Sequence, residues 1–175
     1  MAKKVKTNAM RILETAGIPF RVIEYDVDED DLSGIHVARI CNLPVEQVFK
    51  TLVAKGDQTG FIVACVPVHM SLNMKAIASV SGNKKVDMLL MKDLFPVTGY
   101  IRGGCSPIGM KKIFPVFFEE TAQLYEWIAV SAGVRGAQIV VASDDLIGYV
   151  NGSYADIAEE AMDESKFNGK NTLYR

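Results

Sequence analysis

Three cysteines, two histidines and a net charge of only −2 are what this 175-residue chain has little of, and each scarcity removes a class of function. Cys41, Cys65 and Cys105 lie far apart with no CxxC pair, which argues against a disulfide framework or a zinc site and fits reduced, buried thiols. His36 and His69 fall in no HExxH motif and beside no serine elbow, so both are expected to be ordinary, hydrogen-bonded polar residues. The near-neutral charge argues against general adhesion to nucleic acid, although it leaves room for a local basic patch. Long apolar runs are missing too: the stretch from Leu124 to Val130 is interrupted by Tyr125, Glu126 and Trp127, far short of the roughly 20 residues that span a bilayer. The basic start Lys3-Lys4-Val5-Lys6 is followed by polar Thr7-Asn8 rather than an apolar block, so no secretory leader is read and a cytoplasmic location is expected. There is no internal repeat. The acidic run Asp28 to Asp31 lacks the glycine and distal glutamate of a calcium loop and is expected to be a solvated loop.

What is present is a 49% hydrophobic chain that no Pro/Ser-rich stretch divides, which predicts one domain over 1–160 and a polar tail over 161–175. Thr7 or Asn8 caps a predicted helix with Ala9, Ile12, Leu13 and Ala16 on one face, stopped by Gly17 and Pro19. A strand is predicted over Phe20 to Tyr25, short helices over 36–49 broken at Leu43-Pro44, and a hairpin from Thr51–Ala54 and Phe61–Val66 around Gly56 to Gly60. Beyond it the pattern predicts a helix over 72–80, a brief strand at Lys84-Lys85-Val86, and a helix from Leu89 that ends before Pro96. Three apolar strands follow, over 113–118, 127–130 and 138–141, then a helix over 144–150 capped by Ser143. Without strict βαβ alternation, the fold class expected is α+β: a mixed, partly barrel-like sheet surrounded by helices.

Two features carry chemistry. Lys50 opens the strand-like run Phe49 to Ala54, where an ammonium group on a stiff element can hold a phosphate or carboxylate. The turn Gly103-Gly104-Cys105-Ser106-Pro107-Ile108-Gly109 can aim backbone N–H groups at a developing oxyanion. Taken singly, Lys50 reads as a strand-end lysine and the glycines as an ordinary turn. Cys105 has Arg102, Lys111 and Lys112 nearby in sequence but no general base, so it is read as a small side chain in a tight loop rather than a nucleophile.

The order of motifs is more specific than any one of them. Ile18-Pro19-Phe20 leads to Tyr25-Asp26, then come Phe49-Lys50-Thr51-Leu52, Lys84-Lys85-Val86, Thr98-Gly99-Tyr100 with the glycine turn, and Val130-Ser131-Ala132-Gly133-Val134-Arg135-Gly136. Over about residues 7–160 the chain resembles the YbaK/EbsC family, free-standing relatives of the editing domain inserted in bacterial prolyl-tRNA synthetases. The resemblance implies an enzyme that removes cysteine mischarged onto tRNA(Pro), with no metal or organic cofactor. It places the family's lysine on Lys50, beside Thr51, and its GxxxP loop on Gly103 to Pro107, including Ser106. Gly104 would supply the carbonyl-binding amide. It places the SGxRG segment on Ser131, Gly133, Arg135 and Gly136, and the pocket tyrosine and aspartate on Tyr25 and Asp145.

Implied partners are aminoacyl-tRNA and, transiently, prolyl-tRNA synthetase. Lys84, Lys85, Arg102, Lys111 and Lys112 are candidates for the RNA-facing surface. Two alternatives stay open: a deacylase of the Ala-tRNA(Pro) type that uses water, and a non-catalytic module that binds aminoacyl-tRNA or a nucleotide.

Overall fold

The computed structural model describes residues 5–161; the polar tail expected at the C-terminus lies, apart from Ala161, outside them. Helix α1 (Asn8–Thr15) begins as predicted. Thr7 Oγ1 accepts from the Met10 N–H at 3.3 Å while the Thr7 N–H reaches the Met10 sulfur, so two end groups of the helix satisfy each other. Strand β1 (Phe20–Glu24) follows, then α2 (Gly34–Ile40) and a 3-10 turn at Val45–Gln47 on the far side of Pro44.

The centre of the molecule is the hairpin of β2 (Phe49–Gly56) and β3 (Gly60–Pro67), tighter and longer than the sequence pattern predicts. Both strands are buried on both faces, which is why their residues form near-continuous apolar runs instead of alternating. The register sets Lys50 opposite Val66 and Thr51 opposite Cys65. Parallel pairing adds β6 (Val116–Glu119) and β9 (Ser153–Ala155) on one side, and β5 (Val86–Met88) pairs with β2 on the other, giving the order β5-β2-β3-β6-β9. A second sheet, β1-β8-β7, joins β1 to β7 (Trp127–Ser131) and β8 (Ala137–Ala142), with Ser131 opposite Gln138. A small third ladder pairs β4 (Met70–Leu72) with β10 (Ala158–Glu160).

The α+β class and the mixed sheet are as expected, but the sheets do not close into a barrel. One parallel bridge, Val48 to Ala129, links the two larger sheets, and beyond it β2 diverges into its own ladder. The main core takes in Leu13, Ile62, Ile77, Phe118, Ile128 and Leu146, and a smaller cluster of Ala38, Val48, Val68, Ala129 and Val140 fills the space beside the bridge. Each large side chain so buried contributes about 1.5–3 kcal/mol.

Four local expectations fail for identifiable reasons. Helix α4 (Met91–Thr98) runs through Pro96 to Gly99, although the proline has no N–H to give the Lys92 carbonyl. The Thr98 hydroxyl donates to Leu94 O at 2.7 Å and the Gly99 N–H to Phe95 O at 2.8 Å, which closes the last turn. The apolar stretch at 113–115 precedes β6 rather than belonging to it, and Ile113 is wholly exposed. Ser143 is the buried first residue of α5 (Ser143–Tyr149), not its cap; its hydroxyl donates to Tyr125 O at 3.0 Å and ties the helix to the preceding loop. Helix α3 (Met74–Ser81) starts two residues later than predicted, after β4 and the capping Asn73. No helix among the described residues is long and apolar enough to cross a membrane.

Candidate active site

Strand β2 and the long segment between α4 and β6 face one cavity of about 1000 Å³. Lys50 and Thr51 line it from the strand, Gly103 and Cys105 from the loop, and Ser131 and Gln138 from the second sheet. Lys50 and the glycine turn, separated by more than 50 positions in the chain, therefore converge on the same space. A cavity of this size sits at the upper end of small-molecule sites.

The loop holds its shape through its own backbone. The Lys111 N–H donates to Thr98 O at 3.1 Å and pinches the two ends together, while the Tyr100 hydroxyl donates to Ile108 O inside. The turn packs so tightly on the Gly133 to Arg135 segment that a Cβ on Gly104 would meet Val134 backbone atoms at 3.1 Å. Arg135 then acts as a strap. Its Nε donates to Arg102 O at 2.8 Å, and its guanidinium reaches Glu29 at 3.0 Å. That pair draws the acidic segment over the glycine turn. The segment expected to be a solvated loop is one, Asp26 to Asp31 all being exposed, and it also forms a wall: Asp30, Asp31 and Ser33 line the cavity.

Several expected site residues stand elsewhere. The Gly104 N–H donates to Ile101 O at 3.0 Å, and Gly104 does not line the cavity; in this conformation its amide closes a turn instead of facing a substrate carbonyl. Ser106 and Pro107 are buried behind the turn, where the Ser106 hydroxyl accepts from the Ile108 N–H at 3.2 Å. Tyr25 and Arg135 line a narrow cleft adjoining the cavity, sharing Gly103 and Asp31 with it, and Gly133 supports the Ser131 hydroxyl by donating to it at 3.2 Å. Asp145 is exposed on α5 and lines neither space. The match of motifs placed an aspartate there; the cavity instead holds Gln138.

Gln138 is the residue that motif reading missed. It is 5% exposed, and its Oε1 has no hydrogen-bond partner among the described residues. An amide inside the apolar strand Ala137–Ala142 is the signal that could have found it, because a buried polar side chain without a structural partner costs free energy. The histidines, expected to be satisfied, are so only in part: among the described residues His36 Nε2 and His69 Nδ1 are buried without partners, while His36 Nδ1 lies 3.7 Å from the Asp31 carboxylate.

Cys65 on β3 and Tyr100 after α4 do not line the cavity and are poor bases and nucleophiles. Burial pushes the Cys65 thiol up to about 12 against a lowering hydrogen bond with Thr51, whose Oγ1 lies 3.7 Å from the sulfur. Burial, with Cys105 nearby, also lifts Tyr100 to about 12. Both stay protonated at neutral pH. Asp31 is held below the ordinary carboxylate range by hydrogen bonds from Ser33, with smaller help from His36 and Arg39, so it remains an anion on the cavity wall. Among the described residues one acidic group, Glu119, Glu120 and Asp156, has metal-like spacing. Glu119 there accepts from the Ile157 and Ala158 N–H groups at 2.8 and 2.7 Å, a structural staple away from the cavity.

Against known proteins, the model of the aminoacyl-tRNA editing domain matches residues 34–149. The chain is 49% identical over 160 residues to a protein of Enterococcus faecalis provisionally named Cys-tRNA(Pro)/Cys-tRNA(Cys) deacylase EbsC, covering 90% of this chain and 98% of that one. It is 30% identical over 77 residues to the proline–tRNA ligase of Thermosipho africanus, covering 44% of this chain and 14% of the ligase. Among solved structures, one described as a trans-editing enzyme for prolyl-tRNA synthetase superposes with a TM-score of 0.76 at 21% identity, covering 89% of this chain and 99% of that one, a likeness of fold. The resemblance carried by the ordered motifs is borne out over nearly their whole span: this chain belongs to the family of aminoacyl-tRNA editing domains.

Proposed function

We propose that this protein is a trans-editing deacylase that removes cysteine from Cys-tRNA(Pro), acting in the cytoplasm in transient company with prolyl-tRNA synthetase. The observation that carries the assignment is that Lys50 and Gly103 line one cavity. An aminoacyl ester is already activated, so its cleavage needs orientation and a place for the oxyanion more than it needs a protein nucleophile. Neither Cys65 nor Tyr100, both held protonated, lines the cavity, so neither competes for the ester.

In the proposed sequence the substrate's own thiol loses its proton to solvent and its sulfur attacks the ester carbonyl carbon. A C–S bond forms and the carbonyl oxygen takes the negative charge. Collapse of that intermediate breaks the bond to the terminal ribose oxygen, which takes up a proton, and cysteine leaves as a four-membered thiolactone that water then opens. Lys50 holds the terminal phosphate or the ester. Because the Gly104 amide faces Ile101 O and Gly104 does not line the cavity, the oxyanion role passes to Gly103 and Cys105, which do. The Asp31 carboxylate and Gln138 offer acceptors for the substrate ammonium. For Gln138 this takes a rotation of the terminal amide torsion, which is soft.

Parallel deacylation of Cys-, Ala- and Ser-tRNA(Pro) tests this. Cysteine should be removed fastest, and Lys50→Ala should abolish turnover. Rapid cleavage of the seryl ester would overturn thiol assistance, because a hydroxyl is a far weaker nucleophile near neutral pH. Binding of all three without turnover would leave a non-catalytic module.

A further inference from the structure

The mouth of the cavity has two rims of opposite character. One is the acidic segment of Asp26, Asp28, Asp30 and Asp31, latched down by Glu29. The other is the loop between α4 and β6, which reaches the cavity through Arg102 and carries exposed Lys111 and Lys112 on its outer side. Beside them stands an aromatic ring that the core does not use. Phe95 is 56% exposed, and the Lys111 ammonium sits 4.9 Å from its centroid. Cations next to an open aromatic face match the two repeating features of single-stranded nucleic acid, phosphate charge and base π-face. The acidic rim offers the reverse and repels phosphate.

Resting on the deacylase assignment above, we infer that the RNA strand carrying the aminoacyl group leaves the cavity across Arg102, Phe95, Lys111 and Lys112, and not across the acidic segment or past Lys84 and Lys85. Those last two lysines, equal candidates in the sequence, are locally offset. Lys85 Nζ lies 3.8 Å from Asp87, and the Lys84 and Lys85 N–H groups both bind the Asp57 carboxylate. The basic rim is continuous with the glycine turn, because Arg102 immediately precedes Gly103 and its carbonyl is fixed by Arg135. A strand end threaded to the reacting ester would therefore meet Arg102 first and the Phe95–Lys111 pair farther out.

The test compares a full Cys-tRNA(Pro) with the cysteinyl ester of adenosine, which is too short to touch the outer rim. In the double variant Lys111→Glu/Lys112→Glu, KM for the tRNA should rise at least about tenfold and its salt dependence should flatten, with kcat retained. Phe95→Ala should raise KM roughly threefold to tenfold through lost stacking. Cleavage of the adenosine ester should match the unaltered protein in both variants. The inference is overturned if Lys84→Glu/Lys85→Glu produces the larger rise in KM, or if the rim variants lose the short ester in proportion to the tRNA. Should the unaltered protein cleave neither ester, the deacylase assignment fails on its own, and filter binding of an uncharged acceptor-stem hairpin still reads the rim. Affinity unchanged by the Lys111/Lys112 reversal would then sink the inference, and a loss of roughly tenfold would uphold it.

Discussion

The cavity is built half from strands and half from loops, and the halves are stabilised differently. Lys50 and Thr51 on β2, and Ser131 and Gln138 on β7 and β8, sit on ladders whose neighbours are buried core. Opposite them, Asp31, Arg102 and Gly103 occupy irregular chain held by a few specific contacts, chiefly the Arg135 strap. A strand fixes a side chain through many weak contacts, so changing that side chain alters chemistry and leaves position intact. A strapped loop can lose its position through one contact. Substitutions that separate chemistry from position should therefore divide along this line.

The largest expected effect falls on the strand side. Lys50→Ala should lower kcat/KM for Cys-tRNA(Pro) by at least about 100-fold, the scale of removing one charge-stabilising group, while the melting temperature moves little. Deacylation assays paired with thermal melts check this, and a large fall in stability would blur the distinction between the two walls. Next comes Gly104→Ala, where no positive φ is involved and close approach alone is at stake. The added methyl would press on the Val134 and Arg135 backbone at 3.1 to 3.2 Å, forcing the glycine turn off its support at a cost of about 1–3 kcal/mol. Activity and stability should fall together there, as a loop wall requires. Arg135→Ala should be milder. It releases both Glu29 and the Arg102 carbonyl, so kcat/KM should drop about tenfold, and protease cleavage within 26–33 should quicken as that segment loses its latch. Arg135→Lys, which keeps the charge but not the forked geometry, should recover only part of the loss.

The same division decided what the sequence could tell. Strands and caps were legible because burial and capping leave local marks: Thr7 ahead of α1, the apolar hairpin, and the lysine at the start of β2 all stand where the pattern put them. Ordered motifs singled out Lys50 and Gly103 as candidate site residues, and both line one cavity. What the pattern left out was loop contacts. The acidic run is exposed, as read, but a distant partner also holds it, since Arg135 lies more than 100 residues along the chain from Glu29. The direction in which the Gly104 amide points depends on turn geometry that two adjacent glycines leave open. Pro96 misled because the loss of one hydrogen bond is a local cost, outweighed here by the bonds that close the turn after it. Asp145 was assigned by motif alignment alone, with no physical constraint to correct it.

Gln138 tests the strand wall in the other direction, by the smallest change. Its Oε1 is buried without a partner, a condition that costs about 1–3 kcal/mol when nothing compensates. Gln138→Leu removes the acceptor while keeping most of the side-chain volume among apolar neighbours on β8. If the residue is only packing, the variant should be more stable and fully active. If it is there to meet the substrate, the variant should be as stable or more so, yet lose severalfold in kcat/KM, with Gln138→Glu restoring an acceptor and part of the activity. The predicted outcome is the second, a gain or standstill in melting temperature with a loss in turnover.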